Sequence, residues 1–287
     1  MVSTVDTTLH IVDPKNPGCV DEIIHLGDFW DEQRLRKHKK EIMAANDDIG
    51  LAFARAYRFL KAAKAVYDDI ESCNVLSMDF GEANVITEQV LTQVVGRSPV
   101  ALQVGRDRHL FASAITPDGM MNYLDTIIAP YDRRFIVEGG PGTGKSTLLK
   151  KIATAALERG YDVEMYHCPL NPEKVEHVFI PALGVALTKS IEPHRFHPAP
   201  DDKMVDMNAC MNPDLVNKFS QLTVENTAVF NMLFDRAIQF ISEAKALHDE
   251  LETYYTAAMD FEGIEKLRKA TLDRILRYAA EADARVS

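Results

Sequence analysis

The stretch GGPGTGKS, residues 139–146, is the most informative part of this chain. It matches the pattern G-x-x-x-x-G-K-[ST], whose fixed positions are held by Gly139, Gly144, Lys145 and Ser146. A phosphate chain can lie against several backbone N–H groups only where side chains are absent, and Gly140 and Gly142 supply that room. The pattern therefore predicts a phosphate-binding loop.

Two side chains of this pattern have defined chemical tasks. Lys145 opens the next helix and is placed to reach the β- and γ-phosphates, while the hydroxyl of Ser146 suits Mg²⁺. The positive end of the helix dipole adds to the attraction for anions. Pro141 has no N–H and leaves the phosphate contacts to the other amides. We expect ATP and Mg²⁺ as cofactors, held by Gly139, Gly140, Gly142, Thr143, Gly144, Lys145, Ser146 and Thr147.

The residues on either side of the loop agree with this assignment. Residues 135–138, FIVE, form a short apolar run that suits a buried parallel strand. From Lys145 to Glu158 the apolar residues follow one helical stripe, and Gly160 supplies a stop. The order strand–loop–helix predicts an α/β fold of the P-loop NTPase type, with a parallel sheet core and extensive helical segments at both ends.

Composition excludes several classes of partner. The formal net charge of −11 argues against a nonspecific nucleic-acid surface, because phosphate binding over a wide area needs a basic face. The basic run at 34–40, RLRKHKK, has acidic neighbours on a predicted helix and is typical of a solvated face. No 18-residue apolar stretch or basic-then-apolar leader is visible, and the four cysteines show no C-x-x-C spacing. We expect a cytoplasmic protein that binds neither nucleic acid nor membrane.

Outside the loop, the sequence predicts long helices at both ends of the chain. One helical pattern covers 31–72, and everything from Pro213 onward is predicted as helix, broken near Thr223 and near Asp260. Residues 74–107 are predicted to be a connector, since glycine, serine and proline cluster in their second half. The other predicted elements are a strand at 109–116, a turn at 117–119, a short helix at 120–129, and strands at 161–168, 178–181 and 185–188.

The chain also contains an internal repeat. Residues 55–71, RAYRFLKAAKAVYDDIE, match residues 236–252, RAIQFISEAKALHDELE, at eight of seventeen positions without a gap. On this alignment Met1 corresponds roughly to Val185, so the first copy lacks a loop of its own. We therefore divide the chain into three parts: 1–80 as the helical tail of an incomplete first repeat, 81–107 as a connector, and 108–287 as the P-loop unit with C-terminal helices.

Several stretches together resemble a known family. They are LFASAITPDGMMNYLD at 110–125, GGPGTGKSTLLKKIA at 139–153, YHC at 166–168, IPALGVAL at 180–187 and PH at 193–194. With them the chain is similar to a bacterial family of tandem P-loop ATPase-like proteins, and the resemblance covers nearly all of it. The resemblance implies nucleotide binding and two P-loop units in a full-length chain, without implying a specific reaction.

Phosphoryl transfer also needs a second metal ligand and a group that orients the nucleophile. The predicted strands beyond the loop helix do not end in an acid, which leaves Glu138, Glu176 and Asp206 as candidates. Glu138 is the preferred catalytic residue beside Lys145, because it ends the strand directly before the loop. The alternative is a surface or ion-paired carboxylate.

Histidines near the predicted carboxyl edge of the sheet offer further candidates. His167 and Cys168 end a predicted strand, where they would serve an acceptor or position water, or else simply pack. His194, Arg195 and His197 would cover the phosphates like a lid, or else cap a proline-rich loop.

Three functions remain open at this point. The first is an ATPase that acts through a conformational change on an unknown protein partner. The second is a small-molecule or nucleotide kinase with an acceptor near His167 and His194, and the third is a nucleotide sensor without turnover. Because no N-K-x-D run is present, ATP is preferred over GTP as the nucleoside triphosphate. An exposed apolar face on the N-terminal helices would favour a homodimer.

Overall fold

The computed structural model describes residues 14–191 and 196–286, with side chains through residue 281. Within these residues it is a mixed α/β protein. The helices are α1 (Glu32–Lys37), α2 (Lys39–Ser77), α3 (Phe80–Val95), α4 (Leu124–Ile128), α5 (Lys145–Glu158), α6 (Pro213–Ala257) and α7 (Phe261–Val286). The strands are β1 (Asp107–Leu110), β2 (Ser113–Thr116), β3 (Gly119–Asn122), β4 (Arg133–Glu138), β5 (Val163–His167), β6 (Val175–Ile180), β7 (Val185–Ser190) and β8 (Lys203–Asp206).

The described residues form two compact units. The sheet unit contains residues 54–242, and the helical unit contains residues 14–53 and 243–286. The long helices α2 and α6 each contribute residues to both units. In the described segments, no helix carries an apolar run long enough to cross a membrane.

The sheet unit contains a six-stranded sheet in the order β1-β5-β6-β7-β4-β8. β4 is parallel to both of its neighbours, β7 and β8, and β1 is parallel to β5. The predicted parallel sheet core is confirmed around β4, but β6 departs from it, because this strand is antiparallel to β5 and to β7. Its connections explain this: each is only a few residues long, whereas a parallel crossover needs a dozen or more.

The two faces of the sheet have separate cores, and this decides where side chains at the strand ends point. On one face Phe135 and Val137 of β4 pack in the same core as Leu148 of α5. On the other face Ile136 packs in a core with Leu124 of α4. Since successive side chains of a strand point to opposite faces, the residues that follow on β4, β6 and β7 can be assigned to a face by counting.

Several predicted elements differ from the structure near the edges of the sheet unit. The predicted strand 109–116 is two strands, β1 and β2, which belong to different sheets. The predicted helix 120–129 begins instead with β3, which pairs with β2 around the predicted turn at 117–119. Only residues 124–128 are helical, because the chain first completes this hairpin.

The prediction for the helical segments was also wrong in two places. Residues 80–95 of the predicted connector form α3, whose buried residues include Ala83, Val90 and Val94. The glycines and prolines that suggested a connector all follow this helix. The predicted break near Thr223 is absent from α6, whereas the break near Asp260 is confirmed.

The repeated segments lie on the long helices, and their shared residues make the helix contact of the sheet unit. Phe59 of α2 stacks on Phe240 of α6, with ring centroids 5.6 Å apart and an interplanar angle of 26°. Ala56 and its counterpart Ala237 are both fully buried. Small residues beside an aromatic pair let two helices approach closely, which explains why these positions are among the identities.

The repeat is also visible in backbone hydrogen bonds outside the aligned stretches 55–71 and 236–252. In the sheet unit, Asp79 N donates to Cys210 O at 2.7 Å, and Asn212 N donates to Ser77 O at 2.7 Å. The helical unit has the same pair of bonds between residues that are shifted by 181 positions, the offset of the repeat. These bonds are Asp260 N to Phe29 O at 2.9 Å and Asp31 N to Ala258 O at 2.8 Å. The residue before α6 is thus bonded to the end of α2 in the sheet unit, and the residue before α1 is bonded to the end of α6 in the helical unit. The proposed equivalence of Met1 with Val185 lies outside the described residues.

The helices that follow these junctions are covered differently. In the sheet unit Val94 and Val95 of α3 are 2% and 0% exposed and belong to the core beneath α5. The equivalent residues of α7, Ile275 and Leu276, are 57% and 58% exposed. Equivalent helices thus present an apolar stripe to the core in one unit and to the surface in the other.

Asp79 offers a test of the junction in the sheet unit. Its Oδ1 accepts hydrogen bonds from Gly81 N at 2.8 Å and Glu82 N at 3.1 Å, which caps α3. We expect Asp79→Ala to lower the free energy of unfolding by about 1 kcal/mol, because two amides lose their acceptor. Asp79→Asn keeps an acceptor and should cost less than half as much.

Urea unfolding followed by circular dichroism measures both changes. Asp201→Ala is the matched control, since Asp201 is an exposed carboxylate that caps no helix. Equal stability of the alanine variant and the parent protein would contradict the assigned cap.

Candidate phosphate-binding site

The glycine loop, residues 139–146, connects the carboxyl end of β4 to the first turn of α5. β7 and β8 run parallel to β4 on either side, so their carboxyl ends lie at the same edge of the sheet as the loop. The first-turn N–H groups of α5 have no acceptor within their own helix. The strand–loop–helix order predicted from the sequence is confirmed, and it places free amides and a positive helix end together.

Two glycines of the loop cannot be replaced without a clash. Gly142 has φ of +80°, and a Cβ atom there would lie 2.5 Å from the carbonyl oxygen of Glu71 on α2. Gly139 has φ of +148°, and its Cβ would lie 2.5 Å from Thr143 Oγ1. Both positions combine a backbone conformation that favours glycine with a close neighbour, so the local shape of the loop requires them.

Lys145 is turned into the loop. Its Nζ donates to Gly139 O at 2.6 Å, to Gly140 O at 2.5 Å and to Thr143 Oγ1 at 3.3 Å. The three N–H groups of the ammonium thus have three acceptors, all of them neutral. The residue is only 5% exposed, so this cation is almost completely removed from water.

The surroundings of Lys145 disfavour its charged form. Burial and, to a smaller extent, the positive charge of Lys189 together lower its pKa to about 7, against a smaller opposing effect of Glu71. The amine is therefore near the midpoint of its titration at neutral pH. An anion in the loop would stabilise the ammonium and raise this pKa again.

The hydroxyl of Ser146 is held by β6. Its Oγ accepts a hydrogen bond from Val175 N at 3.0 Å and donates to Val175 O at 3.1 Å. A serine hydroxyl has two lone pairs and one proton, so one lone pair remains for a metal ion. Thr147, the last predicted binding residue, is exposed on the first turn of α5.

Helix α2 supports the outer side of the loop. Asn74 Nδ2 donates to Pro141 O at 2.7 Å, next to the close approach of Glu71 O to Gly142. The Glu71 carboxylate also pairs with Lys174, which precedes β6. The Asn74 hydrogen bond and the close approach of Glu71 O lie one helical turn apart, so the last turns of α2 pack against the loop.

A second amide side chain contacts the loop from the segment after β8. Asn208 Oδ1 accepts a hydrogen bond from Gly140 N at 2.9 Å. Met207, the preceding residue, is buried and donates its N–H to Glu138 O at 2.9 Å. The segment 206–208 therefore continues the pairing of β8 with β4 up to the loop itself.

The three acids proposed from the sequence lie at different places. Glu138 pairs in register with Asp206 of β8, so both are at the carboxyl edge of the sheet. Following Ile136 in the alternation, Glu138 lies on the face opposite α5. Glu176 lies on β6 directly after Val175, and it is 6% exposed. Of the three acids, Glu176 is the one that adjoins a contact of Ser146, because Val175 precedes it in the chain.

His167 is separated from the loop by other strands. It ends β5, and β6 and β7 lie between β5 and β4, which corresponds to about 14 Å at the usual strand spacing. Its Nδ1 lies 2.6 Å from Pro172 O and its Nε2 lies 2.7 Å from His109 Nδ1. The carbonyl requires a proton on Nδ1, so Nε2 is the acceptor for His109. These bonds favour a packing role for His167.

The remaining candidates near this edge are accounted for as follows. Burial raises the pKa of the Cys168 thiol to about 12, which keeps it protonated at neutral pH. His197 is exposed. His194 and Arg195 lie outside the described residues.

Sequence reasoning missed several residues that contact the loop. Glu71 and Asn74 lie on the helix assigned to the first repeat, and Asn208 follows a strand that was not predicted. Lys189 follows the predicted strand 185–188 and lies within the longer β7 of the structure. The sequence gives no local signal for these contacts, because each joins residues that are far apart along the chain.

Comparison of the chain with protein-family models, with curated proteins and with solved structures found no match.

The lowered pKa of Lys145 leads to a test by pH. If an anion binds beside Nζ, binding takes up a proton wherever the free amine is neutral and the bound amine is charged. We expect the affinity for metal-free ATP to be full below pH 7 and to fall by up to about tenfold per unit above it.

Titration calorimetry from pH 7.5 to pH 9, in buffers of different ionisation enthalpy, measures this proton uptake. Lys150→Met is the matched control, because Lys150 is exposed on the same helix and should leave the pH dependence unchanged. An affinity that stays constant over this range would contradict the assignment of Lys145 to the anion.

Proposed function

We propose that this protein binds a nucleoside triphosphate, ATP, with Mg²⁺ at the glycine loop, and that it hydrolyses ATP to drive a conformational change for a protein partner. The observation that carries the proposal is Lys145, a buried ammonium with neutral acceptors only, at the first residue of α5. A buried cation without a carboxylate partner is costly unless an anion joins it. A phosphate chain on the loop would supply that anion.

The residues of the loop would divide the work as follows. Lys145 would exchange its loop carbonyls for phosphate oxygens, and the first-turn N–H groups of α5 would donate to the same chain. Ser146 has a lone pair to offer to Mg²⁺ while it keeps its contacts with Val175. When bound, Mg²⁺ would neutralise charge that develops on the phosphates during transfer.

Two observations favour hydrolysis over transfer to an acceptor. His167, one of the two histidines proposed for a kinase acceptor site, is three strands from β4 and has hydrogen bonds on both ring nitrogens. The contacts from α2 to the loop give a nucleotide a route to a conformational change, since Glu71 and Asn74 would have to follow any movement of Gly142 and Pro141. ATP remains preferred over GTP on the sequence evidence alone.

Phosphate release from Mg-ATP and Mg-GTP tests this proposal. We expect release from ATP without any acceptor, and a loss of about 100-fold or more in Lys145→Ala, because one preorganised donor to the phosphates is removed. Lys150→Ala serves as the control for removing a lysine from the same helix. Circular dichroism and a melting curve establish that each variant is folded.

A pool of small-molecule acceptors distinguishes the alternatives. Release that appears only with an acceptor would contradict the ATPase and establish a kinase. Binding of ATP without turnover in any mixture would establish a sensor. An ATP affinity that is unchanged in folded Lys145→Ala would contradict the assignment of the loop itself.

A further inference from the structure

Two charged side chains of the sheet point toward the start of α5. On β7, Leu187 belongs to the core beneath α5, and Lys189 is the next residue that faces this side. On β6, Val178 belongs to the same core, and Glu176 is the next residue on its side toward the loop. His177 pairs with Thr188 across the two antiparallel strands, so Glu176 and Lys189 follow as opposite neighbours.

Both side chains are much more deeply buried than charged side chains at a protein surface. Lys189 is 8% exposed and Glu176 is 6% exposed. Among the described residues, Oε2 of Glu176 has no hydrogen-bond partner. A carboxylate oxygen that is removed from water without a donor is costly, and such a group in a folded protein calls for an explanation.

The pair also lies beside the glycine loop. Lys189 is in register with Val137, two residues before Gly139. Glu176 follows Val175, whose N–H and carbonyl both contact Ser146 Oγ. The loop, the metal-binding hydroxyl and the buried pair are therefore neighbours in the same face of the sheet unit.

The charges in this region influence one another. Lys189 pairs in register with Val137 just before the loop, and its charge helps to lower the pKa of Lys145 at the start of α5. Burial lowers the pKa of Lys189 itself, and the carboxylate of Glu176 opposes this effect. Two desolvated amines and one carboxylate with an unused oxygen form a set that a phosphate with its metal ion would complete.

We infer that Lys189 and Glu176 form the terminal-phosphate end of this site, so that the protein binds nucleoside triphosphates in preference to diphosphates. In this arrangement Lys189 donates to the last phosphate of the chain. Glu176 would help Ser146 to hold the metal ion, because a carboxylate does not bind a phosphate directly. The inference rests on the proposed nucleotide site and adds the class of nucleotide that it selects.

This assignment differs from the choice made on the sequence. Glu138 ends the strand before the loop, but it continues the face of Ile136, on the side of the sheet away from α5. Glu176 and Lys189 share the face on which α5 begins. The antiparallel direction of β6 is what brings Glu176 to the carboxyl edge, since this strand starts where its neighbours end.

The ratio of ATP to ADP affinity tests the role of Lys189. We expect Mg-ATP to bind the parent protein at least about tenfold more tightly than Mg-ADP. Lys189→Met should lower the affinity for Mg-ATP by about 10- to 100-fold, as for a lost hydrogen bond to a charged group, and change that for Mg-ADP by less than about threefold. Methionine has a similar volume and no charge, and Lys189→Gln serves as the second variant if the first does not fold.

The effect of metal tests the role of Glu176 independently. We expect the gain in ATP affinity from Mg²⁺, measured against the same titration in EDTA, to fall by about tenfold in Glu176→Gln. The affinity for metal-free ATP should stay the same or rise, because a negative charge has been removed. Glu173→Gln is the matched control, since Glu173 is exposed just before β6.

The outcomes separate this inference from the proposed function. If the parent protein binds neither nucleotide, the proposed function fails and the inference fails with it. If the parent protein binds both equally, or if Lys189→Met keeps the parent ATP to ADP ratio, only the inference is overturned. A Glu176→Gln variant with an unchanged effect of Mg²⁺ would overturn the role of the carboxylate.

Discussion

The glycine loop of the sheet unit is built around a lysine that is almost completely buried and has only neutral hydrogen-bond acceptors. The carbonyl groups of Gly139 and Gly140 turn inward and accept hydrogen bonds from the Lys145 amine. That turn requires glycines, and the loop they form needs support from outside. Asn74 and Asn208 provide it from two distant segments, one by donating to the loop and one by accepting from it. The strand, the loop, the helix start and these two amides thus depend on one desolvated charge.

The sequence predicts the centre of this arrangement well and its surroundings poorly. The loop, β4 and α5 were predicted because glycine spacing and the helical apolar stripe are local signals. The antiparallel direction of β6 was not, because an apolar run has no direction and only the short connections reveal it. Glu176 was among the candidate acids but ranked behind Glu138, and Lys189 was not predicted, because the face that the two residues share emerges only from the pairing of two strands.

The internal repeat is clearer in the structure than in the sequence. The aligned identities lie along the long helices, where Phe59 stacks on Phe240. The backbone junctions of the two units match at the same spacing, although the residues in them are mostly different. Backbone hydrogen bonds do not depend on side-chain identity, so a duplicated framework can persist in them after the sequence has diverged. Helix α3 was predicted as a connector, because the glycines that follow it suggested irregular structure.

The attachment of the loop to α2 has a consequence for how stability is distributed along the chain. An α-helix opens cooperatively, so the contacts of Glu71 and Asn74 with the loop limit the fraying of the last turns of α2. Any ligand that binds only the ordered loop makes that opening rarer, by a factor that grows with its concentration relative to its Kd. Amide hydrogens at the end of α2 would then exchange with solvent more slowly, at a distance along the chain of some seventy residues from the bound group. The helix whose exchange slows extends back to Lys39 and contributes residues to both units.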